Sequence, residues 1–157
     1  MTTSLLIVYT STSGHTEFVV RTVVEALEKS APNLRVRMQR AENTKPEELT
    51  SEDVLLLACG SWNTGNIEGQ MSPFMHELLA VRAAETKLGG QKCAVIGLGD
   101  KRYYYTARAA EKMAEFVTSH GGTMVLPPLK VINDPFDQEE KIKTWTEEFL
   151  SSISVKN

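Results

Sequence analysis

Apolar and polar positions alternate along this chain in blocks, and the blocks predict strands and helices in turn. Runs rich in β-branched and aliphatic residues predict strands at 5–9, 34–40, 54–59, 93–97 and 123–126. Three of these runs are almost wholly apolar. Such continuous apolar runs are typical of a parallel sheet that is covered on both faces, because an antiparallel surface sheet would alternate apolar with polar residues.

Between these runs, apolar residues recur at the spacing of one face of a helix. The repeat predicts four helices, whose buried positions are Val20, Val23, Val24 and Leu27; Met71, Phe74, Met75 and Leu78; Ala110, Met113, Ala114 and Val117; and Ile142, Trp145 and Phe149. Strands that alternate with helices, joined by right-handed connections, predict an α/β fold. We expect a three-layer, doubly wound domain around a five-stranded parallel sheet.

Composition narrows the class without naming a function. No repeat or linker divides the 157 residues, so a single domain over 1–157 is predicted. A formal charge of -3 gives no reason to expect nucleic acid or a membrane surface as partner. Cys59 and Cys93 lie in apolar runs, which predicts buried free thiols in a reducing compartment. The first residues have no basic region and too short an apolar stretch for a signal peptide, so a cytoplasmic location is expected.

The segment after the first predicted strand is rich in small hydroxyl residues, reading TSTSGHTE over 10–17. In a doubly wound sheet the ligand lies beyond the carboxyl ends of the strands. Hydroxyl and backbone N–H groups at a strand-to-helix turn can bind a phosphate there, and the helix dipole adds favourable potential. The segment contains no Lys or Arg and matches neither GxxxxGK[ST] nor GxGxxG, so neutral donors suited to a monophosphate are predicted. A Ser- and Thr-rich helix cap is the alternative.

Aromatic residues follow the third and fourth predicted strands. Trp62 lies in the stretch GSWNTG, and three tyrosines at 103–105 follow CAVIGLGD. An indole beyond the end of a strand is well placed to stack on a flat ring, although a partly exposed packing residue would look the same. His76 and His120 have no pattern of metal ligands near them, so no metal is predicted.

The three segments together resemble the loops of the flavodoxin family. VYTSTSGHTE is similar to its phosphate loop, GSWNTG to its [ST]-W-[GN]-x-G loop and GLGDKRY to its G-x-G-D-x-x-Y loop. The resemblance extends over the whole chain and, without a long insertion in 124–132, is to the short-chain subgroup. It implies strand order 2-1-3-4-5 and a non-covalently bound flavin mononucleotide, FMN. The implied cofactor-binding residues are Ser11, Thr12, Ser13, Gly14, His15, Thr16, Gly60, Ser61, Trp62, Asn63, Thr64, Gly65, Leu98, Gly99, Asp100, Tyr103 and Tyr105.

The resemblance also implies roles for these residues. Residues 11–16 would surround the phosphate, Trp62 and Tyr103 would stack on the two faces of the ring, and the carbonyl of Asn63 would accept a hydrogen bond from the reduced ring. Such a protein is a monomeric, low-potential, one-electron carrier without catalytic residues. It passes electrons between redox partner proteins, a reductase as donor and an acceptor enzyme.

Proteins with other functions share this doubly wound architecture. An FMN-dependent quinone or nitroreductase of flavodoxin-like fold is the open alternative, and direct turnover of NAD(P)H would distinguish it. A low-molecular-weight phosphatase is excluded, because its C-x5-R loop needs an arginine where Gly65 and Gly99 follow the two cysteines. A response regulator would need acidic residues at the ends of the first and third strands, which here are Tyr9-Thr10 and Cys59-Gly60.

Overall fold

The computed structural model describes residues 2–11, 13–64, 67–99 and 108–153, with the backbone alone for 62–64 and 67–70. Strands and helices follow one another as β1 Ser4–Tyr9, α1 His15–Ser30, β2 Arg35–Arg40, β3 Val54–Thr64, β4 Ile67–Met71, α2 Pro73–His76, β5 Lys92–Gly99, α3 Arg108–Ser119, β6 Thr123–Met124, β7 Leu129–Ile132 and α4 Glu139–Ser152. Helix α2 continues into a π-helical segment, Glu77–Arg82. No helix in these ranges has the length and apolar character that crossing a bilayer requires.

The strands form a parallel sheet in the order β2-β1-β3-β5, with β6 and β7 both paired to the outer side of β5. The fifth strand is therefore present in two pieces, and the predicted order 2-1-3-4-5 is confirmed. Its second piece, Leu129–Ile132, is not among the predicted runs, and the predicted run 123–126 ends at Met124. Two prolines cause the break, since Pro127 and Pro128 have no N–H to donate to the ladder. The indole N–H of Trp145 donates to the carbonyl of Pro127 at 3.1 Å.

Strand β3 extends beyond the predicted run 54–59. It continues to Thr64, and its extension pairs antiparallel with β4, with Ser61 opposite Met71 and Trp62 opposite Gln70. The stretch that reads as a loop in the sequence is therefore one arm of a hairpin. Glycine, serine and asparagine are typical of turns, so these residues favoured the prediction of a loop. The extended conformation of this stretch depends on its pairing with β4.

The core lies on both faces of the sheet, as the apolar runs predict. Along β1 all six residues are buried, and alternate side chains contribute to opposite clusters. One cluster contains the buried residues of α1 and α4, and the other those of α2, the π-helical segment and α3. Each strand of the centre therefore has helices on both sides, which is the three-layer arrangement.

Three of the four predicted helical faces are buried in the main, and the second needs correction. Met71 belongs to β4 and not to a helix, and the side chain of Phe74 is 48% exposed. Met75 and Leu78 are buried as predicted. The predicted helical period extends back across the end of β4, because Met71 falls on the same spacing by coincidence. In the first and third helices, Val24 and Ala114 are only partly buried, and Val19 and Phe116 are buried in addition. The last face is buried throughout.

Gly97 permits α3 to lie directly against β5. A Cβ added at Gly97 would lie 2.6 Å from the Cβ and from the backbone nitrogen of Ala110, which is closer than non-bonded atoms approach. A Cβ added at Gly60 would meet no described atom within 4 Å. The same substitution thus has different consequences at two glycines of adjacent strands.

We expect Gly97→Ala to lower the free energy of unfolding by about 1 to 3 kcal/mol, since the helix must move away from the sheet. Urea unfolding followed by circular dichroism measures the effect. Gly60→Ala is the matched control and should change the free energy of unfolding by less than about 0.5 kcal/mol. Equal effects of the two substitutions would contradict the close approach at Gly97.

Both cysteines are buried free thiols, as predicted. Burial raises the pKa of Cys59 to about 12, and it raises the pKa of Cys93 to about 12 as well. A thiol of the unfolded chain has a pKa of about 8.5. The folded state therefore binds the two protons more tightly than the unfolded state at alkaline pH. Below the unfolded pKa this preference contributes in full to stability, and it is lost as the pH rises toward the folded pKa.

We expect the free energy of unfolding to fall by about 1 to 2 kcal/mol per thiol between about pH 8 and about pH 10. Urea unfolding at the two pH values measures the fall. The double variant Cys59→Ala/Cys93→Ala has no thiols to titrate and should lose less stability over the same interval. If the variant and the wild type lose the same amount, the buried thiols are not the cause.

Candidate functional site

The carboxyl ends of the central strands meet at one edge of the sheet. Tyr9 at the end of β1 lies opposite Ala58 of β3, and Gly60 of β3 lies opposite Leu98 of β5. The N–H of Thr10 donates to the carbonyl of Ala58 at 3.1 Å. Helix α1 follows β1 on one face, whereas α2 follows β3 and β4 on the other. This edge is therefore a topological switch point, the place where doubly wound sheets bind ligands.

The first loop brings hydroxyl groups to the beginning of α1. The hydroxyl of Ser11 accepts hydrogen bonds from the N–H groups of Gly14 and Glu17, at 3.1 and 3.3 Å. Gly14 caps the helix in the left-handed region with φ +90°, and a Cβ added there would meet no atom of the described residues within 4 Å. The helix N-terminus is therefore adjacent to open space among the described residues, and two of its N–H groups already donate to the hydroxyl of Ser11. Anions bind in such positions.

The other predicted residues of this loop differ in exposure. Ser13 is exposed, Thr16 is buried, and His15 is half-buried with its ring edge-on to the ring of Phe136 at 5.4 Å. Thr12 lies outside the described residues. The structure thus brings Ser11, Gly14 and His15 together at one turn.

A cation lies beside this loop, although residues 10–17 themselves include no Lys or Arg. The guanidinium of Arg40, the last residue of β2, donates through Nη1 to the carbonyl of Ser11 at 3.0 Å. The same group lies over the ring of Tyr9, 5.3 Å from its centroid. Because β1 and β2 are parallel neighbours, Tyr9 and Arg40 are register partners. The sequence feature that could have predicted this contact is the position of Arg40 at the end of β2, the strand that pairs with β1.

Tyr9 connects the strand end to the first turn of α1. Its hydroxyl donates to Oε1 of Glu17 at 3.2 Å. Burial raises the pKa of Tyr9, the charge of Arg40 opposes this rise, and the charge of Glu17 adds to it. Tyr9 therefore remains a neutral donor at neutral pH.

The first loop is also connected to the opposite face of the sheet. The hydroxyl of Thr10 forms a hydrogen bond with the hydroxyl of Ser72, which precedes α2, and both side chains are buried. Neither residue was predicted as part of the site, since no sequence pattern relates positions so far apart. This contact fixes the start of the loop relative to β4 and α2.

Ser61 connects the hairpin of β3 and β4 to helix α3. Its hydroxyl accepts a hydrogen bond from the N–H of Ala109 at 2.9 Å, in the first turn of the described helix. The backbone of Trp62, Asn63 and Thr64 is extended within β3. The side chains of these three residues and the whole of Gly65 lie outside the description, so their predicted contacts stay predictions.

The end of β5 is held from its outer neighbour. Leu98 is buried, and the carbonyl of Gly99 accepts a hydrogen bond from the N–H of Asn133 at 2.7 Å. Asn133 has φ +69°, a left-handed conformation that asparagine tolerates better than most residues. Asp100, Tyr103 and Tyr105 lie outside the described residues. The third predicted loop is thus represented here by its first two residues.

A helix N-terminus at the switch point of a doubly wound parallel sheet defines a class, the open α/β folds whose ligand sites lie at the carboxyl edge of the sheet. The model of the flavodoxin family matches residues 7–145, and the chain belongs to that family. Members of the family bind FMN. The recognition of the family from three loops and the cofactor that it implies are both confirmed.

Similar proteins agree in sequence and in fold. The chain is 28% identical over 151 residues to a flavodoxin of Nitratidesulfovibrio vulgaris (strain DSM 19637 / Miyazaki F), covering 96% of this chain and 99% of that protein. It is 30% identical over 141 residues to a flavodoxin of Maridesulfovibrio salexigens, covering 89% and 92%. The crystal structure of oxidised Flavodoxin 2 from Bacillus cereus superposes with a TM-score of 0.84 at 27% identity, covering 94% of this chain and 98% of that one.

We expect Ser61→Ala to lower the free energy of unfolding by about 1 kcal/mol, because the N–H of Ala109 loses its acceptor. Urea unfolding measures the loss. Ser61→Thr keeps the hydroxyl and is the control, so it should retain most of the stability. A threonine variant as unstable as the alanine variant would show that packing at position 61, and not the hydrogen bond, is the cause.

Proposed function

We propose that this protein is an electron carrier that holds one FMN non-covalently and passes single electrons, at low potential, between redox partner proteins. A reductase is the donor and a separate enzyme is the acceptor. Membership of the flavodoxin family supports this proposal, as does the match to relatives named flavodoxin over nearly their whole length. We further propose that the protein acts in the cytoplasm as a monomer.

The observation that carries the proposal is the first loop. Two N–H groups at the start of α1, those of Gly14 and Glu17, share the hydroxyl of Ser11 as acceptor. Open space adjoins Gly14 at the switch point. A phosphate oxygen there would be stabilised by the helix dipole and would accept a hydrogen bond from the O–H of Ser11, because the hydroxyl oxygen is the acceptor in both of these bonds. The residues therefore fit a phosphate monoester, and we assign residues 11–16 to it.

The remaining assignments rest on the family. We propose that Trp62 and Tyr103 stack on the two faces of the ring, with Tyr105 in support. The other proposed contacts are Gly60, Ser61, Asn63, Thr64, Gly65, Leu98, Gly99 and Asp100. Because β3 and β5 are hydrogen-bonded neighbours, their ends bring the two loops to the same edge of the sheet, which supports this arrangement.

The bound FMN would supply the one-electron chemistry, which no side chain of the chain provides. The stacked side chains exclude water and disfavour negative charge in their low-dielectric surroundings. The carbonyl of Asn63 would accept a hydrogen bond from a protonated ring nitrogen. A net hydrogen bond of about 1 kcal/mol corresponds to roughly 40 mV in a one-electron potential. Several such contributions set the potential of a carrier.

The test begins with FMN binding and continues with stepwise reduction. We expect the purified protein to bind one FMN, and we expect anaerobic titration with dithionite to show two separate one-electron steps in the absorbance spectrum. Together with an NADPH-dependent flavoprotein reductase, it should then reduce cytochrome c, because a carrier transfers electrons between proteins. Omission of either protein is the control.

Two outcomes contradict the proposal. Failure to bind FMN at saturating concentration would exclude the carrier and leave only the fold. Steady oxidation of NADPH by the FMN-loaded protein alone, with a quinone or a nitroaromatic compound as acceptor, would identify an enzyme instead.

A further inference from the structure

The arginine beside the first loop has a specific position. Arg40 ends β2, and its side chain is 35% exposed. Its Nη1 donates to the carbonyl of Ser11 at 3.0 Å, while its Nη2 lies 3.7 Å from Oε1 of Glu17. One guanidinium thus contacts the loop and the first turn of the helix that follows it.

The conformation of Ser11 is held from two sides. Its carbonyl faces Arg40, and its hydroxyl faces the N–H groups of Gly14 and Glu17. In a loop without charged donors, the orientation of each peptide decides whether a carbonyl or an N–H group is presented to an anion. The carbonyl of Ser11 is directed toward the guanidinium of Arg40 at the end of β2. Its negative end is then occupied by a hydrogen-bond donor and is not presented to an anion.

Arg40 is itself fixed on the side away from the loop. Its backbone carbonyl accepts a hydrogen bond from the buried hydroxyl of Thr44 at 2.8 Å. The carbonyls of Thr44 and Ala41 in turn accept hydrogen bonds from the guanidinium of Arg82, at 2.7 and 3.2 Å. The π-helical segment that contains Arg82 therefore anchors the segment after β2. The backbone of Arg40 is therefore held in place by hydrogen bonds.

Charge alone does not explain the placement of Arg40. Two carboxylates lie within 4 Å of its guanidinium, those of Glu17 and Glu42. Glu17 is also paired with Arg21 at 3.7 Å. The four side chains carry two positive and two negative charges, so the cluster has no net charge to attract an anion. The hydrogen bond to Ser11 distinguishes Arg40 from Arg21.

We propose that Arg40 is a positioning residue for phosphate recognition: by holding the carbonyl of Ser11, it keeps the first loop in the conformation that binds the phosphate of FMN. This inference rests on the proposed function of residues 11–16. It assigns to Arg40 an effect on the phosphate group and none on the ring. The guanidinium acts through Ser11 and not by direct contact.

The test compares FMN with riboflavin, which has the same ring and no phosphate. We expect Arg40→Gln to raise the Kd of FMN about tenfold, and the Kd of riboflavin by less than about twofold. Fluorescence titration of each flavin with the apoprotein measures both constants. Arg40→Lys keeps the charge but has a single donor group, and it should lie between the wild type and Arg40→Gln.

Arg21→Gln is the matched control. Arg21 and Arg40 lie at the same distance from the same oxygen of Glu17, but only Arg40 donates to Ser11. Arg21→Gln should leave both constants within about twofold of the wild type. The 31P resonance of bound FMN should move in Arg40→Gln and stay in place in Arg21→Gln. Between about 0.05 M and about 0.5 M NaCl, the ratio of the FMN constants of variant and wild type should persist, because screening weakens only a long-range charge effect.

The outcomes separate this inference from the proposed function. Wild-type protein that binds no FMN overturns both. If the wild type binds FMN but Arg40→Gln raises the Kd of FMN and the Kd of riboflavin equally, the inference alone is overturned. The same conclusion follows if Arg21→Gln raises the Kd of FMN as much as Arg40→Gln does. It also follows if the Kd values of Arg40→Gln and the wild type for FMN become equal at high salt. A selective loss of FMN affinity, with a moved 31P resonance, supports the positioning role.

Discussion

The arrangement of the site depends on the parallel pairing of β1, β3 and β5. These strands are buried on both faces, so their positions are fixed by helices on two sides as well as by their own hydrogen bonds. Parallel strands end at the same edge, and the connections after β1 and β3 go to opposite faces. A space between two diverging connections is therefore a consequence of the fold. Residues distant in sequence meet there without any local signal.

The loops at this edge are held by hydrogen bonds that connect different elements. Ser11 is joined to β2 through Arg40, Thr10 to the start of α2 through Ser72, and Ser61 to α3 through Ala109. Each contact joins a residue of one strand end to the next layer or strand. Binding groups on loops need such support, because a group displaced by a fraction of an ångström loses much of its hydrogen-bond energy. The site is thus an extension of the core packing.

Much of this organisation could be predicted from the sequence, for physical reasons. Burial on both faces leaves long apolar runs, and one buried helical face leaves a regular period. The strand order came from the resemblance of the loops and not from the pattern, since pairing partners leave no local mark. The absence of a local mark for strand pairing also explains why two elements were not predicted. Strand β4 and the antiparallel extension of β3 depend on each other, and neither has an apolar run of its own.

Side-chain contacts between elements also could not be predicted from local sequence patterns. Nothing in the run RVRMQR distinguishes Arg40 from Arg35 and Arg37 until β2 is placed beside β1 in register. Phe74 was expected inside because period alone decided, whereas the preceding strand changes which face of α2 is covered. Loop residues that resemble a known motif were found, and the residues that orient them were not. Sequence motifs consist of residues that contact a ligand, whereas the residues that hold those loops in place are brought there by the strand topology.

The interrupted fifth strand affects how the described sheet meets its surroundings. Between the pairs Cys93–Met124 and Ile96–Leu129, four residues of the outer strand stand against two of β5, so the strand bulges outward at its prolines. At the opposite margin, β2 has arginines at 35, 37 and 40. Bulges, prolines and charged residues all prevent a sheet from adding a strand of another molecule. Both margins of the described sheet therefore disfavour edge-to-edge pairing with the backbone of another molecule.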